Sequence, residues 1–152
     1  MLQEVTPLPV PGLVNLNSVQ GLRLYLKELL SHYERQCDIY GEKVGLLMRE
    51  LDAKSRGKDL RNLQDVQWKK IGMLLVNTNQ PVRGTLELMI EAMEEYKAKA
   101  TRTKEVLMTV DQLEDLGIPA DSSMILYMRH GVPMRMVIDE KKSVVGPCAP
   151  SS

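Results

Sequence analysis

The chain has 152 residues, 43% hydrophobic and 26% charged, which fits one folded domain and excludes a chain disordered throughout. Its 20 lysines and arginines match its 20 aspartates and glutamates, so there is no global basic field for nucleic acid. With five Tyr, one Trp, no Phe and ten Met, the apolar volume is mostly Leu, Val, Ile and Met, which suits helix–helix seams better than a β-sandwich.

Residues 1–16 hold Pro7, Pro9 and Pro11 and read as a Pro-rich extended leader. Leu8, Val10, Leu13 and Val14 are more apolar than a solvated tail requires, so a strand or peptide docking on a partner is the alternative to a flexible leader. Glu4 and the absence of a basic region argue against a secretory signal. No apolar run approaches the ~18 residues needed to span a bilayer.

Residues 17–110 read as a helical hairpin or bundle. Asn17 or Ser18 is expected to cap the first helix, with Gln20 completing a capping-box pattern with Asn17. The stripe Leu22, Leu26, Leu29, Tyr33, Cys37, Tyr40, Val44, Leu47 and Leu51 then advances by threes and fours, the seam spacing of packed helices. Gly41 and Gly45 are either tolerated or mark close approach by another backbone. Gly57 is expected to end the helix, with Lys54 in its last turn, and a short connection to turn the chain back antiparallel.

Asp59 is expected to cap a second helix whose stripe includes Leu60, Leu63, Trp68, Ile71, Leu75, Thr78, Val82, Leu86, Met89, Met93, Tyr96 and Ala100. The stripe crosses Pro81 in register, although an interior proline costs a helix about 3 kcal/mol. Asn77, Thr78 and Asn79 are better helix caps than helix formers. A kink or short break between Asn77 and Gln80 is therefore expected, bending one continuous apolar seam, with a third helix to Met108; an unbroken kinked helix is the alternative. The stretch Asn79-Gln80-Pro81-Val82-Arg83-Gly84-Thr85-Leu86 followed by Met89 resembles a short segment of a Mediator middle-module subunit. That resemblance implies a coiled-coil subunit of a transcriptional complex.

Residues 111–139 read as a small appendage. A short helix from Gln112 to Leu116 is expected to end at Gly117. Beyond it, a helix through Met124, Ile125, Met128 and His130 is favoured, with Val132 to Ile138 extended behind it. The alternative is two strands, Met124–Arg129 and Val132–Ile138, around His130-Gly131, with Pro133 placing the second on an edge. Residues 140–152 read as a disordered tail.

No reactive constellation emerges. There is no glycine-rich phosphate loop and no G-x-S-x-G elbow, and His32 and His130 are far apart in sequence. Glu91, Glu94 and Glu95 read as a solvated helix face. Cys37 on a helix face and Cys148 in the tail make no disulfide framework, which fits an intracellular, cytoplasmic or nuclear, setting. No catalytic residue, cofactor, metal or small-molecule substrate is expected.

The sequence thus predicts an all-α fold, an elongated antiparallel, coiled-coil-like hairpin or bundle. Both stripes carry surplus apolar residues, among them Leu74 and Val76, and Met73, Met89 and Met93 suit either an adaptable interface or core filler. The expected function is that of a non-catalytic helical subunit or adaptor binding other helical subunits, in a hetero-complex or homodimer. The candidate contacts are Leu26, Leu29, Tyr33, Tyr40, Leu47, Leu75, Leu86, Met89 and Met93. The alternative is a nucleic-acid or chromatin-associated factor using the basic stretches Lys54–Arg61 and Lys97–Lys104.

Overall fold

The computed structural model describes residues 12–55 and 65–139. In chain order they form β1 (Gly12–Leu16), α1 (Val19–Ser55), β2 (Lys69–Ile71), β3 (Leu74–Val76), α2 (Pro81–Asp115), β4 (Ser123–Arg129) and β5 (Val132–Asp139). All strand pairing is antiparallel, in a three-stranded sheet of order β1-β4-β5 and a separate β2-β3 hairpin. The fold is therefore mixed α and β, and the all-α expectation is overturned. The chain divides into two compact units, residues 12–33 with 98–139, and residues 34–97.

In the first unit, β1 is the part of the expected leader that falls within the described residues. It pairs along its whole length with β4, from Gly12 opposite Met128 to Leu16 opposite Met124. Ser18 caps α1 as expected: its Oγ accepts a hydrogen bond from the Gly21 N–H at 2.9 Å. The Val19 N–H donates to the Ala120 carbonyl at 2.9 Å, fixing the start of α1 beside the chain that enters β4. Arg23 reaches Asp111 at 3.0 Å and Lys99 lies over the Tyr33 ring, so the two helical segments of this unit run antiparallel.

The helix favoured around Met124–His130 is replaced by the two strands β4 and β5. His130 (φ 55°) and Gly131 (φ 79°) both take positive φ, the pair of conformations a type I′ hairpin turn needs. Residues 124, 126 and 128 then fall on one face by the two-residue period of a strand, and all three are buried. They join Val19, Leu22, Leu26, Leu29, Val110 and Leu113 in the core. Burying each leucine contributes about 2–3 kcal/mol relative to leaving it in water. Pro133 lies on β5, an edge strand, where its missing N–H breaks no ladder.

In the second unit, residues 69–76 form a hairpin where the second helix was expected. Gly72 has φ 65° while Met73 does not take positive φ, the pattern of a type II′ turn. The four-residue spacing of Ile71 and Leu75 is thus no helical stripe: Ile71 pairs with Leu74 and Lys70 with Leu75. The seam expected to continue from Ile71 to Ala100 starts instead with α2 at Pro81. Proline is placed there at the first helical position, where its fixed φ helps and its lost N–H costs nothing. Past Met108, α2 continues to Asp115 without the expected interruption, and the Thr109 hydroxyl donates to the Glu105 carbonyl at 3.2 Å within the helix. The expected helix end at Gly57, the cap at Asp59, Leu60 and Leu63, the leader as far as Pro11 and the tail from Glu140 lie outside the described residues.

Candidate functional site

The three-stranded sheet buries one face and leaves the other bare. Along β4, Met124, Leu126 and Met128 point inward while Ile125 and Tyr127 point outward between them. Registration extends this row across the sheet. Leu13 stands opposite Tyr127, which stands opposite Arg135; Asn15 stands opposite Ile125, which stands opposite Val137. Leu13 and Val137 are 67% and 66% exposed, and Ile125 is 42% exposed. With Tyr127, Arg135 and Met136 they line a shallow open depression. A half-solvated antiparallel sheet ordinarily carries polar residues on its wet side. Here aliphatic side chains from all three strands meet, with a phenol and a guanidinium available for directional bonds.

A second concavity of about 260 Å³ lies between α2 and β5. Val106, Val110, Leu113 and Met136 are among its lining residues, with Arg102 and Glu105 beside them. The Arg102 Nε donates to the Pro133 carbonyl at 3.4 Å. The Tyr25 hydroxyl and the Ser122 hydroxyl are buried without a hydrogen-bond partner among the described residues. Burial also pushes the Tyr25 phenol pKa above its ordinary value.

The residues expected from the sequence to bind partners fall into three settings. Leu26, Leu29 and Tyr33 are buried in the first unit. Tyr40, Leu47, Leu86, Met89 and Met93 are half-buried in the second. There Tyr40 stacks on Tyr96 with ring centroids 5.8 Å apart, and the Cys37 thiol points at the Met93 carbonyl at 3.8 Å. Leu75 stands on β3 and is 60% exposed. An added Cβ at Gly41 would meet Met93 Sδ at 3.7 Å, an ordinary contact, and one at Gly45 would meet nothing within 4 Å. Of the basic stretches, Lys54 pairs with Glu50 at 3.1 Å, Lys99 lies over Tyr33, and Arg102 bonds Pro133; Arg56, Lys58 and Arg61 lie outside the described residues.

The outer sheet row Leu13, Ile125, Tyr127 and Val137 is not among the contacts expected from the sequence. The signal was masked because Ile125 and Tyr127 are themselves apolar. The run Met124-Ile125-Leu126-Tyr127-Met128 has no polar residue to reveal a two-residue period. Among the described residues no group of three His, Cys, Asp or Glu is placed to hold a metal ion, and no helix is long and apolar enough to cross a membrane. No protein family, no curated protein and no solved structure matches the chain.

Proposed function

We propose that the chain is a non-catalytic interaction subunit of a larger assembly and that another protein covers the outer face of its three-stranded sheet. The observation that carries this reading is the exposed apolar row of Leu13, Ile125 and Val137, drawn from three strands. Contiguous apolar surface of this kind marks interaction sites, because water ordered over it is released on docking. Tyr127 and Arg135 beside the row belong to types enriched at interfaces. The partner is another subunit of the assembly or a second copy of the chain.

Affinity capture from cells followed by mass spectrometry tests this, with the wild type compared against Ile125→Asp combined with Val137→Asp. Both positions are exposed, so the fold should survive the change. The expected result is loss of a defined set of co-purifying proteins. An unchanged set would overturn the proposal.

A further inference from the structure

The β2-β3 hairpin has a surface that a folded chain rarely leaves in water. Ile71, Leu74 and Leu75 are each more than half exposed, and Met73 at the turn is fully exposed. The register assigns them to different sides. Ile71 and Leu74 form a pair on one face, Lys70 and Leu75 pair on the opposite face, and Met73 caps the end. A protein docking on a sheet face would cover one side and leave the other wet. An apolar medium that surrounds the hairpin covers both sides and the turn together.

The charge pattern points the same way. Lys69 and Lys70 open the first strand, one on each face, and both are exposed with no ion pair among the described residues. Trp68 precedes them, and its indole N–H donates to Glu87 at 3.0 Å. An aromatic ring and lysines at the base of an apolar tip is the arrangement that sits at a bilayer headgroup layer.

We propose that the β2-β3 hairpin docks on an anionic lipid surface. Its tip enters the interfacial layer, and Lys69 and Lys70 meet the phosphate and carboxylate groups of the lipids. A three-residue strand reaches about 10 Å, which fits shallow interfacial insertion. Insertion stops at this interfacial layer, where water still reaches both open edges of the two-stranded hairpin; a hydrocarbon interior would forbid their unpaired backbone groups. The hairpin's base is fixed beforehand. The Asn77 amide donates to the Gln67 carbonyl at 2.8 Å and to Asn79 Oδ1 at 2.7 Å, and the Asn79 amide donates to the Asp65 carbonyl at 2.9 Å. Little conformational freedom is therefore lost on docking.

Trp68, the single tryptophan of the chain, is the built-in probe. The full-length chain is mixed at low salt with phosphatidylcholine vesicles, with and without phosphatidylserine, and followed by flotation and Trp68 fluorescence. Expected are flotation with the phosphatidylserine vesicles and a blue shift of the emission. Each lysine near an anionic surface contributes about fivefold in affinity, so Lys69→Ala with Lys70→Ala should weaken binding by about twenty-fivefold. Met73→Asp with Leu74→Asp should abolish flotation while the circular dichroism spectrum stays unchanged. No flotation at low salt, or flotation that survives the Met73 and Leu74 changes, would overturn the proposal. Sedimentation velocity supplies the remaining outcome: a dimer that the same double change makes monomeric assigns the tip to a second copy and also overturns it.

Discussion

The Tyr33 hydroxyl donates a hydrogen bond to the carbonyl of Gly131, linking α1 to the second residue of the β4–β5 turn. The link depends on glycine at that place. Gly131 has φ 79°, and a Cβ there would lie 2.5 Å from the Tyr33 hydroxyl oxygen. Gly131→Ala is therefore expected to cost about 1–3 kcal/mol through strain and the displaced ring. Tyr33→Phe, which removes only the bond, is expected to cost about 1–2 kcal/mol. Urea unfolding of the two variants checks both sizes, and no loss of stability in either would contradict the link.

His130 precedes Gly131 at φ 55°, the left-handed region that costs a residue with a Cβ about 1–2 kcal/mol. Asparagine tolerates this region, and Asn-Gly is the preferred pair for the turn. His130→Asn should raise the unfolding free energy by about 0.5–1 kcal/mol. A lower thermal midpoint for this variant would contradict the turn assignment.

Leu26 is fully buried in the first unit, whereas Leu24, two residues earlier on the same helix, is about half exposed. Leu26→Ala should cost about 2–5 kcal/mol by leaving a cavity. Leu24→Ala should shift stability by less than about 0.5 kcal/mol. Equal effects at the two positions would contradict the assigned inner face of α1.

Gly84 is in the first turns of α2, where alanine would ordinarily stabilise a helix by about 1 kcal/mol. Here an added Cβ would stand 2.9 Å from Asn77 Oδ1. The Asn77 side chain is held by its bonds to Gln67 and Asn79 and accepts the Gln80 N–H at 3.3 Å. Gly84→Ala is expected to destabilise, by about 1 kcal/mol, and to speed amide hydrogen exchange at Gln80, whose N–H the Asn77 Oδ1 accepts. A gain in stability would show that the Asn77 cluster yields freely.

Tyr25 carries a buried hydroxyl without a partner among the described residues, and its pKa is raised by burial. The folded state therefore holds this proton more tightly than the unfolded state does. The neutral form's advantage is fully present below the unfolded pKa, near 10, and is lost as pH rises through the folded value. Tyr25→Phe should remove that alkaline loss. At neutral pH it should add about 1 kcal/mol, because the unsatisfied hydroxyl is gone. Unfolding followed from neutral to alkaline pH compares the two chains.

The sequence by itself determined what rests on local chemistry. Ser18 begins the first helix because its hydroxyl reaches a nearby N–H, and the stripe from Leu22 to Tyr33 faces inward because 3.6 residues make a turn. The Asn77–Pro81 stretch ends one element and starts another for reasons already in those side chains. What only the tertiary structure decided is where an apolar run serves two geometries. Met124–Met128 fits a helix or a strand by composition. It is a strand because β1, more than a hundred residues away, supplies one set of backbone partners, and the His130-Gly131 turn brings β5 to the other side. Ile71 and Leu75 likewise keep helical spacing, yet Gly72 turns the chain between them. The exposed sheet row exists only once three strands lie side by side. Strand pairing joins residues distant in sequence, so its register, and the surface it creates, is written in no local period.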